Sequence, residues 1–153
     1  MLSGTPLDAT CGVLQVTIWH AQNLERLQID GGVPRAYVSI SLNGGPEIDR
    51  TRTREAHPSP RFRETKYILL KNLEGLLTMS PMEDNGVLPP SRLGVTRFDL
   101  STLNTNPSPG RMNKAIMYSD APVGALSYSL DYYPIMKPEV GPNGQLLPFP
   151  EVA

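Results

Sequence analysis

Apolar and polar residues alternate with a period of two at three places along the chain. Leu14, Val16 and Ile18 alternate with Gln15, Thr17 and Trp19; Val38, Ile40 and Leu42 alternate with Ser39 and Ser41. Leu126, Tyr128, Leu130 and Tyr132 alternate with Ser127, Ser129 and Asp131. Successive strand side chains point to opposite faces, so each run reads as a strand with one face in a core and one toward water. Residues 63–70, 75–79 and 94–100 read as further strands, with a less regular alternation. Turn chemistry separates the runs: Asp30-Gly31-Gly32, Asn43-Gly44-Gly45-Pro46, His57-Pro58-Ser59-Pro60, Asn85-Gly86 and Pro107-Ser108-Pro109-Gly110. Short strands at this density of turns predict an all-β fold, an antiparallel sandwich. No segment sustains a helical period, residues 101–104 offering room for a single turn, and no internal repeat is present.

Composition sharpens this picture. The 153 residues suit one domain, and a 39% hydrophobic share is enough for a core. The 16 prolines are about double the usual share and argue against a helical bundle, because an interior proline costs a helix about 3 kcal/mol. The single cysteine, Cys11, excludes an internal disulfide framework and fits a reducing compartment. Apolar runs fall far short of the roughly 20 residues that span a bilayer, and Met1-Leu2-Ser3-Gly4-Thr5-Pro6 lacks the basic start and apolar stretch of a signal peptide. Residues 1–11 carry no pattern and read as a linker. Residues 135–153, with Pro138, Pro142, Pro148 and Pro150, read as an extended linker toward another module. The expected globular unit is residues 12–134.

Charge is nearly balanced, at −1 overall, but unevenly placed. Six of the 14 basic residues (Arg50, Arg52, Arg54, Arg61, Arg63 and Lys66) stand within residues 50–66, where only Glu55 and Glu64 oppose them. Arg50, Arg52 and Arg54 alternate with threonines, so strand geometry predicts all three on one face. Like charges on one face repel unless an anionic partner or nearby carboxylates offset them. Three readings follow: an anionic membrane, a protein contact, or a solvated face paired to Glu47, Asp49 or Glu55. The stretch lacks interleaved aromatics and the chain is slightly acidic, which argues against nucleic acid.

No residue pattern argues for an enzyme or for a cofactor. His20 and His57 are lone histidines without metal-ligand spacing, and Cys11 has no histidine partner in prospect. Gly31-Gly32 is a turn with no strand–loop–helix unit around it, and proline in Asn106-Pro107-Ser108 blocks glycosylation.

Several segments, in order, resemble the C2 domain family. Gly12-Val13-Leu14-Gln15-Val16-Thr17-Ile18 with Ala21-Gln22-Asn23-Leu24 is similar to its opening strand. Gly32-Val33-Pro34-Arg35-Ala36-Tyr37-Val38, Arg50-Thr51-Arg52-Thr53-Arg54, Pro60-Arg61-Phe62-Arg63-Glu64, and Leu93-Gly94 with Phe98-Asp99-Leu100 resemble later family motifs. Leu2-Ser3-Gly4-Thr5-Pro6-Leu7-Asp8, Gly31-Gly32-Val33-Pro34 and Tyr132-Tyr133-Pro134 resemble the first C2 domain of the fungal tricalbins, relatives of the extended synaptotagmins. The resemblance implies an eight-stranded sandwich. The closing strand, Gly124–Tyr132 by number, looks like the one that opens the synaptotagmin form, which implies the circularly permuted, type II order. It also implies a parent in the endoplasmic reticulum membrane. Such a parent reaches the plasma membrane through its C2 domains, beside neighbouring lipid-transfer and C2 modules. Arg50, Arg52, Arg54, Arg61, Arg63 and Lys66 then fall in the region that binds anionic phospholipid in many C2 domains.

Calcium-binding members cluster about five aspartates on two loops, because each ion needs six to eight oxygen ligands. At those positions the resemblance places Ile29, Arg35, Glu83, Asn85 and Ser91, with Asp30 one residue out of step. The expectation is therefore lipid binding without metal. Arg35 is expected either to pair with Glu83 in place of an ion or to be solvated. Ile29, Val33, Val87 and Leu88 are expected at loop tips, dipping into headgroups or covering the end of the core.

Overall fold

The alternating runs become the centres of two facing sheets. A computed structural model describes residues 2–4, 11–24 and 32–135, in the strand order β1 (Leu2–Gly4), β2 (Gly12–Gln22), β3 (Ala36–Leu42), β4 (Glu47–Arg50), β5 (Arg61–Leu70), β6 (Leu76–Glu83), β7 (Ser91–Arg92), β8 (Thr96–Asp99), β9 (Gly110–Tyr118) and β10 (Ala121–Pro134). The first sheet runs β1-β5-β2-β10-β9. The second runs β4-β3-β6, with β7 and β8 both on β6 as two pieces of one interrupted strand. Counted that way, the sandwich has nine strands, eight paired antiparallel and β1 added in parallel at the edge of β5. The opening core strand β2 lies between β5 and the final strand β10, the permuted order.

The predicted inward residues are the core. Leu14, Val16 and Ile18 of β2 and Leu126, Tyr128 and Leu130 of β10 are fully buried, as are Val38 and Ile40 of β3 and Leu77 and Met79 of β6. Phe62 of β5 closes the core near the loop end and is likewise fully buried. A single 3-10 turn, Leu100–Asn104, is capped by the Asp99 carboxylate, which accepts from Ser101 N–H, and it buries Leu100 and Leu103.

Three features depart from the sequence reading. Leu2–Gly4, placed in a patternless linker, pairs in parallel with Tyr67–Leu69 of β5. The edge strand β9 carries only Ile116 fully buried, so its sequence shows no alternation to read. The strand expected at residues 50–54 lies earlier, at Glu47–Arg50. The Pro-rich segment at residues 136–153 and Ile29 lie outside the described residues.

The chain enters and leaves the sandwich side by side. Ile135 N–H donates to the Cys11 carbonyl at 3.0 Å, and Gly12 stands opposite Pro134. A Cβ at Gly12 would collide with the Tyr132 ring, whose hydroxyl lies 3.2 Å from Cys11 Sγ.

Tyr128 is the exception within the core: its hydroxyl is buried without a partner among the described residues, and burial pushes its pKa up to about 12. Phe62→Ala is expected to cost about 3–5 kcal/mol in chemical denaturation, as a large-to-small change in a packed core. Tyr128→Phe should leave the midpoint unchanged or raise stability by about 1 kcal/mol, because it removes an unsatisfied polar group without opening a cavity.

Candidate functional site

The basic segment is not one strand. Thr51 is buried, its N–H donating to the Val38 carbonyl at 3.0 Å and its hydroxyl accepting from Val38 N–H at 2.9 Å. The next amide abandons the ladder: Arg52 N–H donates to Glu64 Oε2 at 2.9 Å, across the gap to the other sheet. Arg54 N–H returns to β3, donating to the Ala36 carbonyl at 2.8 Å. Side-chain acceptors thus replace regular pairing, and residues 51–60 form a loop.

The expectation that Arg50, Arg52 and Arg54 share a face is therefore corrected. Arg50 lies on the outer face of the second sheet, 4.6 Å above the Tyr37 ring, with its Nε 2.8 Å from Glu47 Oε2. Arg54 reaches between the sheets to the Phe62 carbonyl and lies 3.4 Å from Glu64 Oε2. Lys66 sits 3.5 Å from Glu64 and 3.8 Å from Asp49. Arg52 keeps a side chain 76% exposed, with Glu64 3.8 Å away. Glu64, itself only 11% exposed, gathers these three cations at the seam between the sheet edges.

Arg61 and Arg63 differ: among the described residues neither has a carboxylate partner. Both project from β5 onto the outer face of the first sheet, where they line a groove of about 1030 Å³ with Arg111 of β9 and with Trp19 and His20 of β2. Arg63 adopts a left-handed backbone (φ 51°) beside the register shift opposite Ile18 and His20. Arg111 is held in place. Its guanidinium lies 4.8 Å above the Trp19 ring, its Nε donates to Ser127 Oγ at 2.9 Å, and Trp19 Nε1–H donates to Ser129 Oγ at 2.6 Å. An arginine can only donate, so His20 Nδ1, 3.2 Å away, accepts and its proton resides on Nε2. Burial, then Arg111 and Arg61, hold His20 below its ordinary value. The sequence reading missed Arg111, Trp19 and His20 as site residues because their strands meet only through register, His20 opposite Arg61 and Arg111 opposite Ser129.

The loops beside this groove emerge from one end. Ala36 pairs with Glu83, so residues 32–35 and 84–90 leave the second sheet together, and the 51–60 loop joins them through Arg54 and Ala36. Asp84 fastens all three loops. Its N–H donates to the Arg35 carbonyl at 2.8 Å, and its carboxylate accepts from Thr53 Oγ1 at 2.7 Å and Gly86 N–H at 2.9 Å. The Thr53 bond, then the Gly86 bond, with Arg35 and Arg50 further off, hold its carboxyl below the usual range. Arg35 acts on Asp84, and Glu83 is buried in β6 where that loop begins. Asn85 Nδ2 donates to Ser91 Oγ and to the Pro89 carbonyl, both at 2.9 Å, so these two calcium positions serve to close their own loop. Among the described residues no three His, Cys, Asp or Glu side chains cluster as metal ligands. Val87 is fully exposed, Leu88 is 66% exposed and Val33 is 38% exposed.

Comparison with known proteins places this geometry. Residues 12–114 match the family model described as C2 domain. The chain is similar to Tricalbin-1 of Saccharomyces cerevisiae, 28% identical over 99% of the chain, and to Tricalbin-3 of the same yeast, 30% identical over 81% of the chain. It spans only 13% and 8% of their respective lengths. In fold it is similar to a C2 domain of plant Extended Synaptotagmin 1 (TM-score 0.68, 18% identity, covering 84% of this chain and 98% of that one). It is also similar in fold to the calcium-bound tandem C2 domains of Extended-Synaptotagmin 2 (TM-score 0.63, 18% identity, 80% of this chain and 46% of that one). With two thirds of its length matched, the chain belongs to the C2 domain family.

Proposed function

We propose that this C2 domain docks on anionic phospholipid without requiring calcium, through cations beside the loop end. The observation that carries this reading is the set Arg61, Arg63 and Arg111, free of carboxylate partners among the described residues, in a groove whose 51–60 rim is hydrogen-bonded through Thr53 and Asp84 to the loop that exposes Val87 and Leu88. Arg35, standing at a calcium position, adds a fixed positive charge at the same end. Arg50, Arg54 and Lys66 contribute less than the sequence suggested, since Glu47, Glu64 and Asp49 already neutralise them. In this reading the parent is a tricalbin-like tether at endoplasmic reticulum–plasma membrane contacts. The domain then holds the cytoplasmic leaflet while a neighbouring module moves lipid.

Magnitude fixes the mode of action. A basic residue near an anionic leaflet contributes about 1 kcal/mol, so four or five give about 4–5 kcal/mol, near a millimolar dissociation constant. One domain dwells briefly, and linked domains supply the persistence. A second reading, a packing or protein-interaction domain that binds a neighbouring module or itself, draws support from β1, a flanking segment that pairs onto the edge of β5.

Vesicle co-sedimentation separates the two. Docking should weaken steadily as salt rises, because the Debye length contracts, and should persist with a calcium chelator present; a packing domain ignores lipid composition. Binding seen only after calcium is added would overturn the metal-free reading. Glu64→Gln should strengthen vesicle binding about fivefold by releasing the equivalent of one cation, while lowering stability by about 1–2 kcal/mol as Arg54 loses its charge partner. Arg63→Gly should weaken vesicle binding with no loss of stability, since glycine takes the left-handed backbone without the cost that arginine bears there.

A further inference from the structure

The arginine groove carries a hydroxyl that the docking reading does not use. Ser59, in the 51–60 loop, lies on its lining with Arg54, Arg61, Arg63 and Arg111, and Glu55 is the one carboxylate there. Ser59 Oγ accepts the Asn23 N–H at a long 3.4 Å, and its hydroxyl proton has no acceptor among the described residues. The Ser59 N–H donates to His57 Nδ1 at 2.9 Å, closing a small turn in which His57 and Pro58 are exposed. Three serines of the chain precede a proline: Ser59, Ser80 and Ser108. Ser80 is buried in β6. Ser108 is exposed but stands off the groove, in the loop before β9. Ser59 alone joins a Ser-Pro pair to a concavity lined by arginines.

We propose that Ser59 is a phosphorylation site for a proline-directed protein kinase, and that its phosphate becomes the groove's own occupant and blocks docking on anionic phospholipid. A residue before proline is held extended, the backbone that such a kinase accepts. Two bonds, from Leu24 and Ala21 N–H to the Pro58 and Pro60 carbonyls, hold the turn, and their local opening admits the kinase. In the transfer, Ser59 Oγ bonds to the γ-phosphorus of a nucleoside triphosphate. The bond from that phosphorus to the β-bridging oxygen breaks, the diphosphate leaves, and the hydroxyl proton passes to the kinase's base. The product carries about −1.5 to −2 charge and three acceptor oxygens, matched to the forks of Arg61, Arg63 and Arg111, which have no carboxylate partner among the described residues. Being tethered, it acts at an effective concentration on the order of millimolar, against headgroups that one such domain binds no more tightly than that. The effect on docking rests on the membrane-docking reading; the modification itself does not.

The test treats the whole chain and its variants Ser59→Ala and Ser108→Ala with a proline-directed kinase and ATP, and mass spectrometry locates the phosphate. Expected is modification of Ser59 in Ser108→Ala. Phosphorus-31 NMR then follows the second ionisation of that phosphoserine, which ordinarily falls near about 6. It should lie well below that value and return toward it in Arg111→Gln, a change that leaves the sequence around Ser59 intact. Co-sedimentation with phosphatidylserine–phosphatidylcholine vesicles should weaken about thirtyfold on Ser59 phosphorylation, the equivalent of two lost cations. Phosphate on Ser108 alone, in Ser59→Ala, should weaken it by no more than about threefold. No phosphate on Ser59, under conditions that modify the same Ser-Pro sequence in a short peptide, overturns the proposal. So does a phosphoserine that titrates at the ordinary value, or an equal loss of vesicle binding from phosphate on either serine. If the phosphorylated chain binds vesicles as tightly as the unmodified one, docking stands and the switch fails. An unmodified chain that adheres to no vesicle overturns the docking reading and the switch together, while the phosphorus titration still decides whether the groove holds the phosphate.

Discussion

One carboxylate, that of Glu64, decides how this sandwich closes and which of its charges face the solvent. It sits on the inward side of β5 at the sheet edge, where the opposing sheet has run out of strand. There it accepts the Arg52 amide and lies within 4 Å of Arg52, Arg54 and Lys66. A carboxylate so withdrawn from water is tolerable only because several donors converge on it. The same convergence draws Arg54 and Lys66 toward the seam, while Arg50, Arg52, Arg61 and Arg63 stay exposed. A contact inside the seam thus sorts the cations of the segment.

Most of the fold was legible because it rests on burial with a period of two. Leu14, Val16 and Ile18, and Leu126, Tyr128 and Leu130, had only one way to face a core. Where burial is slight the signal vanished: β9 keeps a single fully buried residue, and Leu2–Gly4 is held by backbone pairing to which side-chain identity is nearly silent. The basic face was misplaced for a different reason. Alternating Arg and Thr resemble a strand face, yet Thr51 and Glu64 offer side-chain acceptors that divert the backbone, and such long-range competition leaves no local trace. Arg111, Trp19 and His20 were invisible as a group for the same reason, being distant in sequence and joined only by strand register.

At the loop end, hydrogen bonds hold the described loop segments to one another. Asp84 ties residue 35 by its amide and Thr53 by its carboxylate, while Asn85 secures Ser91 within its own loop. The loops are fastened by neutral and charge-assisted bonds that need no cation to form. The electropositive character of that end then comes from arginines that stay charged across the physiological range, and the pre-set Arg111 beside Trp19 extends it along the sheet.

The parallel pairing of Leu2–Gly4 carries a consequence for solubility. Without it, Tyr67, Ile68 and Leu69 would present unpaired amides and carbonyls along an apolar rim, the kind of template on which another copy can stack. Farther along that rim, Lys66, Arg63 and Arg61 supply charges that discourage such stacking. Three residues from outside the sandwich proper therefore act as a guard rail. Trimming them away would expose a sticky margin long before it loosened the core.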